Sequence, residues 1–230
     1  MSIPPPTSGL PPITAVLAVC AHPDDESFGL GAVLAALAER GTRIRVLCLT
    51  HGEASTLGPA AGQPLAQVRA AELQAAANVL GIDHVQLLAY PDGHLEDVPV
   101  AELADVVDGA VADAAALIVF DEGGVSGHLD HRRATAAAVT AADRHRLPVL
   151  AWALPEAVAT QLNSELGTSF VGRPDRELDI GIEVDRTRQQ AAIACHLSQS
   201  RENPVLRRRL DLLGAHEHLR WLRRGRPDRR

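Results

Sequence analysis

A chain of 230 residues that is 46% hydrophobic and 3% aromatic can bury a sizeable core, which must be built from Ala, Val and Leu. Its net charge of −7 is uneven: ten Arg against four acids over residues 201–230 give +6, leaving −13 for residues 1–200. No apolar run approaches the roughly 20 residues of a membrane helix, the start lacks a signal-peptide pattern, and the basic end has no aromatic or Gly-rich interleaving, so neither membrane nor nucleic acid is an expected partner.

Residues 1–12 are Pro-rich and read as a flexible or clinging arm, 13–223 as one domain and 224–230 as a basic tail. Ile13–Cys20 is an apolar, bounded run, hence a buried strand. Gly29–Arg40 is an Ala/Leu-rich helix closed by Gly41. Arg43–Thr50 is a second strand, Pro64–Leu80 a helix closed by Gly81, and Val85–Ala89 a third strand. Val98–Ala114 is an amphipathic helix, Leu117–Phe120 a fourth strand, His128–Arg146 a helix and Val149–Leu154 a fifth strand. Gly123–Gly127 and Pro155–Pro174 read as loops or a lid, and Asp179–Val184 as an edge strand. Asp185–Ser198 and Asn203–Arg223 close the chain as helices, the latter with a solvated, Arg-rich face. Strand–helix alternation with short loops predicts an α/β, Rossmann-like, mostly parallel sheet with helices on both faces. Cys20, Cys48 and Cys195 are odd in number, and two lie in apolar runs, which predicts reduced, packed thiols and a cytoplasmic setting.

Ligands of open α/β sheets bind at the carboxyl ends of strands. There the first strand runs into His22-Pro23-Asp24-Asp25-Glu26. So many ionisable groups beside an apolar strand need compensation, and a divalent cation would supply it. His nitrogen with hard Asp oxygen suits Zn²⁺. His22 and Asp25, three apart, can face one point, and Asp24 between them is better placed as a base than as a ligand. The bland reading is an acid-rich first helical turn stabilised by the helix dipole. Beyond the fourth strand, Gly127-His128-Leu129-Asp130-His131 emerges on the same sheet edge and would complete a two-His, one-carboxylate site. Three protein ligands leave a fourth position open, as catalytic zinc requires.

The run Ala21–Glu26 with a downstream His-x-Asp-His resembles the PIG-L/LmbE-like family of zinc-dependent N-acetylglucosaminyl deacetylases. Leu49-Thr50-His51-Gly52-Glu53, Arg69-Ala70-Ala71-Glu72, Pro91-Asp92-Gly93 and His196-x-Ser198-Gln199 extend the resemblance over roughly residues 14–200. Leu129 stands where the family more often has Pro. The resemblance implies one Zn²⁺ per chain held by His22, Asp25 and His131. It implies Asp24 as general base and His128 as a second active-site histidine oriented by Asp130. Arg69 would contact substrate and Asp92 would line the pocket, whereas His51, His94 and His196 are not expected as ligands. The implied substrate is a small N-acyl amino sugar, with an amidase on thiol conjugates as the alternative and homo-oligomers possible. Loops such as Ser55–Gln63 and Pro155–Asp179 would set substrate choice. A nucleotide-binding module is the rival of another class, but Gly29-Leu30-Gly31 comes late and lacks its third Gly in register.

Overall fold

A computed structural model describes residues 7–57 and 64–225. In chain order the elements are β1 (Thr7–Ser8), β2 (Ala15–Cys20), α1 (Asp25–Phe28), α2 (Gly31–Glu39), β3 (Arg43–Thr50), α3 (Leu65–Leu80), β4 (His84–Tyr90), α4 (Val100–Val111), β5 (Ala116–Phe120) and α5 (Leu129–His145). They continue with β6 (Val149–Trp152), β7 (Leu154–Pro155), α6 (Glu156–Leu166), β8 (Gly172–Arg173), β9 (Ile180–Glu183), α7 (Thr187–Cys195), α8 (Leu197–Ser200), α9 (Pro204–Leu213) and β10 (His216–Arg223).

The main sheet runs β1-β9-β10-β6-β5-β2-β3-β4. Strands β2 to β6 are parallel, and β10 is antiparallel to both β6 and β9. The α/β, mostly parallel expectation therefore holds. Residues alternate between faces along β2. Val16, Ala18 and Cys20 pack with α2 and α3, whereas Leu17, Val19 and Ala21 pack with α4 and α5. Buried alanines 134, 137, 138, 141 and 142 let α5 lie close on the sheet. Cys20 and Cys48 sit in register on adjacent strands as buried free thiols. Gly81 ends α3 at φ 79°, where a side chain would be strained.

The C-terminal third departs from expectation. Residues 216–223 form a strand rather than a helix extension, because Gly214 turns the chain at φ 55° and Glu217 and Leu219 then alternate inward. A buried Glu among arginines conceals the strand period. Pro155–Pro174 is not a bare lid but carries α6 and the β7–β8 pair. Strand β9 is flanked on both sides, since Thr7 and Ser8 pair with Ile180 and Gly181. Leu10 joins the core, so the later part of the expected arm is built into the sheet. The expectations for residues 1–6, 58–63 and 226–230 lie outside the described residues. Among the described residues no helix is long and apolar enough to cross a membrane.

Sheet order fixes where a ligand can go. After β2 the chain moves to β3 and β4 on one side, and β5 then returns to the other side of β2. The loops following β2 and β5 therefore flank a topological switch point, where α/β sheets open a crevice.

Candidate active site

The two motifs meet in that crevice. His22 follows β2, Asp25 opens α1, His128 caps the start of α5 and His131 lies one turn further on. Asp25 Oδ1 is 3.1 Å from His131 Nε2, His131 Nε2 is 3.3 Å from His22 Nδ1, and His22 Nδ1 is 3.9 Å from Asp25 Oδ2. Zinc bonds of about 2.0–2.1 Å place tetrahedral ligands roughly 3.3 Å apart, so the spacing fits.

The outer partners fit as well. His22 Nε2 faces Asp130 Oδ2 at 3.2 Å and Asp92 Oδ1 at 3.0 Å. His131 Nδ1 donates to the Gly124 carbonyl at 3.1 Å. With those nitrogens protonated outward, His22 Nδ1 and His131 Nε2 present lone pairs to one another and to Asp25, an arrangement that calls for a cation between them. Burial opposes charge on His22, but Asp130 and Asp92 outweigh it and push its pKa up to about 10. The site thus favours positive charge at this point, and an arriving metal ion would displace that proton. Burial likewise opposes ionisation of Asp25, yet His131 and His22 hold its carboxyl well below the usual range. Its Oδ2 also accepts from the Ala21 and His22 backbone N–H groups, both at 2.9 Å.

Asp24 lines the cavity beside this triangle, in a backbone conformation of φ 128° and ψ −22° that costs a non-glycine residue about 1–3 kcal/mol. Burial, with Asp25 nearby, pushes its carboxyl up to about 6 against the pull of Arg69. Arg69 donates to Asp24 Oδ2 at 2.9 Å, to the Gly52 carbonyl at 2.6 Å and to the Pro23 carbonyl. Gly52 admits it only because a Cβ there, at φ 66°, would lie 2.0 Å from Arg69 Nη1. Arg69 is 3% exposed, so its hydrogen bonds hold the Asp24 loop, and it lines the same cavity as the base candidate.

One placement differs from expectation. The Asp130 carboxylate holds His22 and accepts from the Gly93 and Leu95 N–H groups at 2.7 and 3.0 Å, rather than orienting the His128 ring. His128 is fixed instead by the Asp130 backbone N–H, which donates to its Nδ1 at 3.2 Å. That leaves Nε2 of this exposed ring to carry the proton when the ring is neutral. Asp92 does line the cavity, and it also bonds the Ala54 N–H at 2.8 Å.

A cavity of 510 Å³ contains His22, Asp24, Asp25, Asp92, His128 and His131 together with Phe120 and Arg209. The last two went unnoticed in the sequence, as did a fully buried pair, His196 Nε2 to Glu26 Oε1 at 2.7 Å. Glu26 closes the first motif and His196 opens the C-terminal one, so the motifs marked both residues. Their pairing has no sequence signal, since 170 positions separate them.

A family model described as PIG-L, GlcNAc-PI de-N-acetylase, matches residues 17–142. A probable N-acetyl-alpha-D-glucosaminyl L-malate deacetylase 2 of Bacillus anthracis is 34% identical over 124 residues, covering 50% of this chain and 54% of that protein. A 1D-myo-inositol 2-acetamido-2-deoxy-alpha-D-glucopyranoside deacetylase of Mycobacterium sp. (strain KMS) is 31% identical over 206 residues, covering 75% of this chain and 63% of that protein. The chain thus spans less than two thirds of the length of these relatives. The zinc-inhibited form of teicoplanin deacetylase Orf2 superposes with a TM-score of 0.69 at 21% identity, covering 90% of this chain and 97% of that one. This likeness is one of fold.

Proposed function

The chain belongs to the PIG-L family, and from that membership we propose that it is a zinc-dependent hydrolase removing the acetyl group from an N-acetylglucosamine-type amide, giving acetate and a free amine. The observation that carries the reading is the pair of histidines locked from outside by Asp130, Asp92 and Gly124, with their remaining nitrogens converging on Asp25. His22, Asp25 and His131 would hold the ion. Bound there, Zn²⁺ supplies Lewis acidity, polarising the amide carbonyl and acidifying water.

The chain's own groups supply the rest. Asp24 Oδ accepts the proton of the attacking water, and Arg69 keeps that carboxylate aimed at the cavity. His128 Nε2–H donates to the oxygen on which negative charge develops, its ring held by the Asp130 N–H. The proton gathered by Asp24 then passes to the leaving nitrogen. Asp92 and Asp130 fix the His22 ring, a role that typically affects metal affinity by about 10–100-fold.

The test uses the full chain, stripped by chelator and reloaded with zinc. Acetate release is followed from N-acetylglucosamine, its inositol and malate glycosides and an N-acetylated glycopeptide sugar. Release in the zinc-loaded arm alone is the expected result. Full zinc occupancy with no release from any of the four would overturn the reading.

A further inference from the structure

One cation in the cavity wall has no anion of its own. Arg209, on α9, donates Nη2–H to the Phe28 carbonyl at 2.6 Å and lies over the Trp152 ring, with Cζ 5.2 Å from the centroid. Its Nε is buried without a partner. Among the described residues it makes no ion pair and Nη1 has no hydrogen-bond partner, while the residue lines the same cavity as the proposed metal ligands.

The carboxylate that favours the Arg209 charge most strongly is already engaged. Glu217, 1% exposed, gives Oε1 to Arg186 Nη1 at 2.5 Å and Oε2 to Trp152 Nε1–H at 2.6 Å. Both oxygens of that carboxylate are thus taken by Arg186 and Trp152, and Arg209 has no carboxylate in direct contact among the described residues. Burial pushes the Arg209 guanidinium down to about 10, aided by Arg186 and resisted by Glu217. A charge this desolvated gains most from an anion brought by a ligand. Neighbouring polar groups cannot serve instead. Gln199 is tied to Ser55 and the Leu57 carbonyl, and the Asn203 side-chain oxygen caps α9. Arg209 is also anchored to Phe28, three residues beyond Asp25, so an anion held there sits close to the reacting centre.

We infer that the natural substrate carries an oxyanion, a carboxylate or a phosphate, which Arg209 Nη1 receives in this cavity, making Arg209 the residue that selects acidic over neutral N-acyl sugars. The inference rests on the deacetylase reading for the amide but not for the anion, and the two can fail separately.

The experiment compares methyl N-acetylglucosaminide, N-acetylglucosamine 1-phosphate and the glycolic acid glycoside of N-acetylglucosamine on the zinc-loaded full chain. At least one acidic substrate is expected to exceed the methyl glycoside by about 10–100-fold in kcat/KM, the worth of a charge-assisted hydrogen bond. The two acidic arms tell phosphate from carboxylate. In Arg209→Gln the ratio should collapse towards 1, largely through KM, and Arg209→Lys should keep part of it. Calorimetric binding of glucosamine 1-phosphate, the glycolic acid glycoside of glucosamine and glucosamine itself gives a second readout, independent of turnover. At least one acidic ligand should bind more tightly than glucosamine in the wild type, and Arg209→Gln should erase the difference. A wild type with no acidic preference in either readout, or a preference that survives in Arg209→Gln, overturns the inference. If no N-acetyl compound is hydrolysed the deacetylase reading falls, and the binding arm alone decides the anion site.

Discussion

Two neighbouring strands of the central sheet end in buried acids, and the chain deals with them in opposite ways. At the end of β5, Asp121 is 1% exposed, and its oxygens accept from the Gly123 N–H, from Arg173 at 2.7 Å and from Arg220 at 2.9 Å. Those cations come from β8 and β10, so the C-terminal third closes this charge. At the end of β2, Asp25 meets two histidine nitrogens whose protons are engaged elsewhere. An uncompensated buried carboxylate is costly in either place. Where the chain closes the acid with its own guanidinium groups the strand end is structure, and where it offers backbone N–H groups and histidines whose protons a metal can displace it is a candidate ion site.

The largest effect should come from breaking the open end. Asp25→Ala removes the carboxylate from the triangle, so metal per chain by mass spectrometry should fall from one to near zero and acetate release to background. Asp121→Ala should leave metal content unchanged. If Asp121→Ala strips the metal, the two ends are not independent and the contrast fails.

Asp24→Asn comes next. It keeps size and a hydrogen bond to Arg69 but removes the proton acceptor, so kcat should drop by about 10²–10⁴, the usual worth of a general base, with metal occupancy retained. Loss of metal along with rate would make Asp24 a ligand instead.

Asp121→Asn should act on stability. Removing one partner of a buried ion pair costs about 3–5 kcal/mol, and about 2–4 kcal/mol is expected here because Glu122 already lies within 3.2 Å of Arg220 and 3.5 Å of Arg173. Burial raises the Asp121 carboxyl, but Arg173, the Gly123 N–H and Arg220 outweigh it and hold it below its ordinary value. A depressed folded value contributes stability that is fully present above the unfolded pKa of about 3.9. That stability is lost as pH falls through the lower folded value. Urea unfolding should therefore show the full gap between wild type and variant at pH 7, closing below about pH 4. A gap independent of pH would mean that packing, not charge, holds this strand end.

The same contrast explains what the sequence made legible. Strand ends, the period-2 alternation of β2 and the loop acids are local, and Arg43–Thr50 appears with the boundaries read from the pattern. His22, Asp24, Asp25, His128 and His131 stood out because ionisable groups beside apolar runs need a reason. What stayed hidden is who partners whom. The carboxylate of Asp130 holds His22 rather than the His128 ring, and Arg69 holds Asp24, over 108 and 45 residues of sequence separation. The arginines of the C-terminal third read as a solvated helix face because Glu217 and Asp121, the acids that draw them inward, lie in other elements or look like surface charge. Periodicity reports which way a side chain faces, not which distant group will meet it there.

Within the open end itself one acid is closed by the chain, and the smallest predicted effect sharpens the contrast there. Glu26 and His196 are both fully buried and 2.7 Å apart, and Ser27 Oγ–H adds a bond to the same carboxylate oxygen at 2.6 Å. The other oxygen accepts the Asp24 N–H at 2.9 Å. This pair therefore clamps the backbone at Asp24, where φ is 128°, making His196 a positioning residue that acts through Glu26 on the proposed base. His196→Gln keeps a donor of similar reach but loosens the clamp, so kcat should fall about tenfold, equivalent to about 1.4 kcal/mol, with KM and metal content unchanged. Glu26→Gln added to it should cost little more, the signature of two residues in one device. A purely architectural pair would instead lower Tm and leave kcat per folded molecule intact. The split between kcat and Tm thus decides whether a charge closed by the chain can still serve the site that the chain leaves open.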